Sequence, residues 1–142
     1  MKNLSRLMIA ALLIVGLQIT ACQRHHAGHH AEHPAEVEAI PGSDVKKVTL
    51  TEQAVKRLDV QTETVREQGG KTVVPYSSLI YDPKGETWVY TSPAPRTYVR
   101  HKVDIDRITG DTVTLNSGPP AGTTIATVAV AELYGTEFKV GH

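Results

Sequence analysis

Short β-type runs separated by turns dominate the sequence from Val45 onward and limit the folds open to it. Residues 71–75, 86–92 and 112–116 are rich in Val, Thr and aromatic side chains, and the DPKG sequence at 82–85 is typical of a turn. Strands that recur at this spacing predict an all-β domain that forms a small barrel or sandwich. About 95 residues are enough for one modest hydrophobic core and too few for two.

One short helix is expected within this β-domain. Thr51 is a suitable N-cap, and Ala54, Val55 and Leu58 share one helical face, so a two-turn helix is expected. Residues 123–131 (TTIATVAVA) predict the last strand.

Residues 97–105 (TYVRHKVDI) alternate between apolar and polar side chains, as a half-buried strand does. The alternation predicts one side formed by Val99, Val103 and Ile105, and the other by Arg100, Lys102 and Asp104. It also places His101 on the apolar side of the strand.

Residues 1–21 have the composition of a secretory signal peptide. Lys2 and Arg6 supply positive charge, an apolar run of 11 residues extends over 7–17, and small residues precede Cys22. A transmembrane helix needs about 20 apolar residues to cross the hydrocarbon, so this run is too short for a permanent anchor.

Residues 19–22 (ITAC) resemble the lipobox of bacterial lipoproteins, which implies that Cys22 is acylated and becomes the first mature residue. Cys22 is the only cysteine in the chain, and acylation accounts for a lone thiol in an oxidising compartment. The alternative is an ordinary signal peptide beside an incidental cysteine. We expect a lipid-anchored protein on the periplasmic side of a bacterial membrane.

Residues 22–44 contain mainly His, Ala, Glu, Pro and Gly and scarcely any large apolar side chain. Such a segment cannot bury enough surface to offset its ordering entropy, which predicts a lipidated flexible tether. Its root-mean-square span is about 25 Å and its full reach about 70 Å. The predicted organisation is a signal peptide at 1–21, the tether at 22–44 and the β-domain at 45–142.

Five of the seven histidines lie within nine residues of the tether. The candidate metal ligands are His25, His26, His29, His30 and His33, with Glu32 as a carboxylate ligand. Imidazole suits Zn²⁺, Cu²⁺, Ni²⁺ and Co²⁺, whereas a mature chain without Met or a free thiol disfavours Cu(I). A segment that must become ordered on binding predicts a weak, exchangeable site and no required cofactor. The alternative is a solvated tether whose histidines only add pH-dependent charge.

Charge and motif content narrow the functional classes. Lys2 and Arg6 leave with the signal peptide, so 13 basic and 15 acidic residues remain. A slightly acidic chain argues against a nucleic-acid partner, which calls for clustered Lys and Arg. The sequence also lacks a nucleophile elbow and a phosphate-binding GxxxxGK[ST] loop. We therefore expect a protein that is not an enzyme.

Several motifs follow one another in a characteristic order: VPYSSLIYD at 74–82, GETWVY at 85–90, YVRHKV at 98–103, GDTV at 110–113 and AELYG at 131–135. In this order they resemble the membrane-proximal domain of periplasmic adaptor proteins, the HlyD-like membrane-fusion proteins of RND-type efflux pumps. The resemblance implies a small β-barrel that sits against an inner-membrane transporter. The motif residues that carry it are structural: Asp82, Gly85, Trp88, Arg100, Gly110, Gly118, Gly122 and Gly135.

Upstream, residues 48–65 resemble the segment that opens the folded part of heavy-metal-type adaptors. A full adaptor places a lipoyl-like domain, an α-helical hairpin and a second β-barrel after this segment, whereas here only 66–72 (REQGGKT) follow before the next motif. Gly69 and Gly70 are predicted to close the gap as a tight β-turn. The chain thus resembles the membrane-proximal domain with its middle removed.

Together these features predict a non-catalytic periplasmic lipoprotein that acts in transmembrane efflux, with metal cations as the expected cargo. It would dock on an RND-type transporter or its adaptor, capture metal, or do both. Two other interpretations stay open, a stand-alone divalent-metal buffer or chaperone and an adaptor fragment with an assembly role. Gln23, rather than Asp, follows the cysteine, and by resemblance to enteric sorting signals this implies the outer membrane, whereas an adaptor-like docking role favours the inner one.

Overall fold

The computed structural model describes residues 33–140. Within this range ten strands form one sheet that is nearly closed into a barrel, accompanied by two short helices, which confirms the predicted all-β fold class. The strands are β1 (Ala35–Ala39), β2 (Lys46–Leu50), β3 (Thr62–Thr64), β4 (Arg66–Gln68), β5 (Lys71–Pro75), β6 (Ile80–Tyr81), β7 (Thr87–Ala94), β8 (Thr97–Thr109), β9 (Thr112–Ser117) and β10 (Thr124–Ala126). The helices are α1 (Glu52–Leu58) and α2 (Val130–Phe138), and a single 3₁₀ turn covers Tyr76–Ser78.

The sheet closes because its two ends are formed by consecutive segments of the chain. The strand order is β3-β10-β7-β8-β9-β5-β4, and only Val65 separates β3 from β4 in sequence. The Val65 N–H donates to the Thr123 carbonyl at 2.8 Å, and its carbonyl accepts from the Gly122 N–H at 2.9 Å. One extended segment therefore pairs with β10 on one side and with β5 on the other, which joins the two edges.

Two hydrophobic clusters lie on opposite faces of this sheet. Adjacent residues of a strand point to opposite faces, so Val89 and Ile125 belong to the inner cluster, whereas Tyr90 and Ala126 belong to the outer one. The inner cluster fills the barrel and consists of Val65, Val74, Val89, Val103, Val113, Leu115 and Ile125. The outer cluster is covered by β1, β2 and both helices and consists of Val48, Leu50, Ala54, Tyr90, Tyr98, Ala126, Val130 and Leu133. Both clusters lie within 33–140.

The β-domain begins earlier than the sequence predicts. Ala35–Ala39 form β1, which pairs antiparallel with all five residues of β2. The tether predicted over 22–44 is therefore wrong in its last part, and the expected boundary at residue 45 lies inside the fold. Ala35 and Val37 pack against the outer cluster, but two small apolar side chains between glutamates are too weak a signal to reveal an edge strand.

A second helix replaces part of the predicted last strand. The sequence predicts one strand over 123–131, but β10 ends at Ala126 and α2 begins at Val130. The expectation of a single helix is therefore wrong. Val and Thr favour strands in isolation, yet α2 buries Leu133 completely on the outer cluster, so packing overrides local propensity.

Strand β8 changes its buried face midway. Even-numbered Arg100 is buried, whereas His101 is exposed and odd-numbered Val103 is buried. The side of the strand that is buried therefore changes between Arg100 and Val103. The switch lies between the part of β8 that pairs with β2 and the part that pairs with β9. The alternation predicted through 97–105 is therefore wrong for Arg100 and His101, because it assumes that one face stays buried along the whole strand.

Gly69 and Gly70 join β4 to β5 in a two-residue turn, as predicted. Both glycines have positive φ, +61° and +75°. A tight turn of this kind requires positive φ at both central positions, which residues with a Cβ adopt only at a cost.

No helix within 33–140 is long and apolar enough to span a membrane.

Candidate functional site

A buried carboxylate on α2 binds three different strands of the barrel. Glu137 is fully buried, and its Oε2 accepts hydrogen bonds from the Tyr90 hydroxyl at 2.6 Å and from Arg100 Nε at 2.9 Å. Its Oε1 accepts from the Lys46 N–H of β2 at 3.2 Å. The last turn of α2 is thereby attached to β2, β7 and β8 at once.

Aromatic rings enclose the cation that pairs with Glu137. The Arg100 guanidinium carbon lies 4.2 Å from the centroid of the Trp88 ring and 4.9 Å from that of Phe138. Tyr134 contributes a third ring at 5.8 Å and itself packs on Phe138. A planar guanidinium suits this position, because it can stack on aromatic faces while it donates to the carboxylate.

Burial keeps the Tyr90 hydroxyl protonated. Desolvation raises the pKa of Tyr90 far above its usual value, and the hydrogen bond to Glu137 raises it further. Tyr90 is therefore a neutral donor to the carboxylate. Every buried side-chain nitrogen and oxygen within 33–140 has a hydrogen-bond partner, as a charged pair in a fold must have to offset desolvation.

The structure brings together three of the motif residues named from the sequence. Asp82 accepts from the Trp88 indole N–H at 3.1 Å, and Trp88 in turn stacks on Arg100. Asp82 also accepts from the backbone N–H groups of Lys84 and Glu86, both at 2.9 Å. Desolvation acts to raise the pKa of Asp82, but these hydrogen bonds outweigh it and the net effect is a lowered pKa.

The motif glycines serve the fold in different ways. Gly85, Gly110 and Gly122 have positive φ and lie in turns, and Gly135 lies within α2. Gly118 has a packing role, because a Cβ there would approach Leu115 Cδ1 to 2.7 Å and Val103 Cγ1 to 3.2 Å. A side chain at Gly118 would therefore displace the inner cluster.

Glu137 is the residue of this cluster that the sequence prediction missed. The expected strand over 123–131 hides the start of α2, and no motif quoted from the sequence extends beyond Gly135. A usable signal is present in the spacing of Val130, Leu133 and Glu137, which occupy one face of a helix. An acidic residue on that otherwise apolar face requires a buried cation, and Arg100 supplies it.

An apolar groove of about 970 Å³ lies beside the start of β1. Its walls come from β1, the end of β2, α1 and α2, and include Val37, Leu58 and Val140. The charged side chains that line it are Arg57, Glu132 and Lys139, and His33 lies at the same place.

The predicted lipid and metal residues fall mostly outside the described range. This applies to Cys22 and to the candidate ligands His25, His26, His29, His30 and Glu32. His33 is the one predicted ligand within the described range, where it is exposed and lines the apolar groove. Within 33–140, no three His, Cys, Asp or Glu side chains are grouped so that they could hold a metal ion.

Comparisons with known proteins assign this chain to no family. No protein-family model, curated protein or solved structure matches it. The likeness to adaptor proteins is therefore a proposal that depends on the order of the sequence motifs.

We predict that Glu137→Gln destabilises the protein by about 3 kcal/mol or more, because it leaves Arg100 charged and buried without its counter-ion. The matched control is Glu86→Gln, which breaks the exposed Lys102–Glu86 pair (2.5 Å) and should cost under about 1 kcal/mol. Urea unfolding of both variants measures the difference.

The double variant Arg100→Met/Glu137→Gln tests whether the stability loss comes from the unpaired buried cation. It removes the unpaired cation, so it should be more stable than Glu137→Gln alone. Equal small losses for Glu137→Gln and Glu86→Gln would contradict a stabilising role for the buried pair.

Proposed function

We propose that this protein is a non-catalytic, lipid-anchored periplasmic module that docks on an RND-type metal efflux system and captures metal with its N-terminal histidines. The observation that carries the docking part is the two-residue turn at Gly69 and Gly70. If the resemblance to adaptors holds, these two glycines lie at the place where a full adaptor inserts its lipoyl-like domain, hairpin and second barrel. The two segments that an adaptor separates are here strands of one barrel, β3 and β4 before the turn and β5 after it.

The buried cluster supports the same proposal. Asp82, Trp88 and Arg100 belong to the motifs that resemble adaptors, and they form one connected set of contacts. That set connects the turn at Asp82 to β7 and β8, and in our proposal these elements support the docking surface. Within 33–140 the helices are α1 and α2, which are seven and nine residues long, so we expect this β-domain to act on the transporter side of the pump rather than to bridge the periplasm.

The docking proposal predicts that the adaptor segment can be inserted into this chain with function at one place, the turn between β4 and β5. A chimera that carries the lipoyl, hairpin and barrel segment of a heavy-metal adaptor in place of Gly69 and Gly70 should restore efflux in a strain without its own adaptor. Gln68 and Lys71 are paired across the β4–β5 ladder and provide two neighbouring attachment points. Metal tolerance of the strain is the readout.

The matched control inserts the same segment at Gly110, in the hairpin between β8 and β9. This chimera should not restore efflux, because the segment then projects from a different hairpin. If the Gly69–Gly70 chimera is folded and anchored to the membrane but does not restore efflux, the docking proposal is contradicted. Restoration by both chimeras would contradict it as well.

Metal capture is the second part of the proposal. The mature protein should bind Zn²⁺, Ni²⁺ or Cu²⁺ at pH 7.5 and release it below about pH 6, where imidazole becomes protonated. Calorimetry should show that a variant with alanine at the five tether histidines (His25, His26, His29, His30 and His33) loses this heat. Equal heats for the two proteins would contradict metal capture.

The same alanine variant distinguishes docking from buffering. If docking belongs to the β-domain, the variant still co-purifies with the transporter although it no longer binds metal. A protein that binds metal but co-purifies with no transporter would instead be a stand-alone metal buffer or chaperone. Recovery of the lipoprotein in the outer membrane alone would also argue against docking, since the twelve residues between Cys22 and Ala35 let these two positions lie at most about 45 Å apart.

A further inference from the structure

We propose that the groove between β1, α1 and α2 binds an anionic phospholipid of the membrane that holds Cys22. An acyl chain would lie against the apolar walls, and the phosphate would lie beside Arg57 and Lys139. The inference depends on the proposed function only for the lipid anchor, and neither pump docking nor metal capture is needed for it.

The walls of the groove are suited to a hydrocarbon chain. They are formed by Val37, Leu50, Ala54, Leu58 and Val140 together with small residues of α2. Val140 is 62% exposed, although it is a large apolar side chain beside other apolar surface. A contiguous apolar concavity of this size on a small domain is typical of a binding site.

The charges in the groove favour an anionic head group. Arg57 and Lys139 are both exposed and take part in none of the ion pairs found within 33–140. The mature chain has more acidic than basic residues, so two unpaired cations at one apolar groove are a local feature. Glu132 is the acidic side chain among the lining residues, which leaves an excess of positive charge.

The backbone fixes the position of Lys139. It ends α2 in the left-handed conformation with φ of 54°, and its N–H donates to the Thr136 carbonyl at 3.2 Å. A cation at this end of a helix is favourable, since the carbonyl end carries partial negative charge. The Lys139 backbone is therefore fixed at the edge of the groove, from which its side chain extends.

The length of chain before the groove keeps it close to lipid. Ala35 lines the groove, and only the twelve residues 23–34 lie between it and Cys22. Their greatest reach is about 45 Å. A site held this near its own membrane meets bilayer lipid at a high effective concentration, so weak affinity is enough.

Vesicle binding tests this proposal with the mature chain made without residues 1–21 and carrying Cys22→Ser, so that no anchor contributes. It should co-sediment with phosphatidylcholine vesicles that contain phosphatidylglycerol, and much less with phosphatidylcholine alone. Each basic residue near an anionic surface contributes about fivefold, so Arg57→Gln/Lys139→Asn should weaken binding about 25-fold. Asn is chosen at 139 because it tolerates the left-handed conformation.

The matched control is Lys84→Asn/Arg107→Gln, which removes the same charge from exposed positions away from the groove. It should weaken binding less than about twofold if the groove rather than net charge binds the lipid. Val140→Asp tests the apolar wall and should also reduce binding, whereas Ile108→Asp, at an exposed apolar residue elsewhere, should not.

Three results would overturn the proposal. The first is no binding to vesicles with phosphatidylglycerol, and the second is equal weakening by the two double variants. The third is groove-dependent self-association in sedimentation without vesicle binding, which would assign the groove to a second copy of the chain. If the Gly69–Gly70 chimera fails to restore efflux, the mature chain should still bind vesicles. The two proposals therefore fail separately.

Discussion

The ion pair between Arg100 and Glu137 is the contact on which the outer half of this fold depends. A carboxylate that is fully buried and a guanidinium that is 7% exposed can persist only if each satisfies the other. The pair also determines where α2 lies, because Tyr90, Arg100 and Lys46 approach one side chain from three strands. Without it, the outer cluster would lose the helix that covers it.

The position of α2 in turn produces the apolar groove. Its exposed side faces α1 and β1, and the groove is the space that these elements leave between them. The inner cluster has a different origin, since the β3–Val65–β4 segment closes the barrel without help from either helix. The protein therefore combines a barrel that closes by its own strand order with an outer layer that is attached by β2–β8 pairing, by the outer cluster and, at α2, by one buried ion pair.

Much of the barrel could be predicted from the sequence, because turns and strands leave local signals. The DPKG turn, the Thr51 cap and the Gly69–Gly70 turn depend on residues adjacent in sequence, and each prediction is confirmed. Strand β1 and helix α2 escape this approach, since one has a weak alternation and the other a strand-like composition. Both are stabilised by partners distant in sequence.

The candidate site shows the same division. Asp82, Trp88 and Arg100 were identified from motif order, but their contacts become apparent only when Glu137 joins them from 37 residues beyond Arg100. The alternation along β8 fails at Arg100 for this reason, because a buried cation occupies a position that the pattern assigns to solvent.

Native-state hydrogen exchange on Glu137→Gln tests most directly whether this ion pair attaches α2 to the barrel. The amides of Leu133 and Lys46 should lose protection strongly, whereas those of Val89 and Val113 in the barrel should keep most of theirs. Equal loss at all four amides, or none at Leu133, would contradict the account.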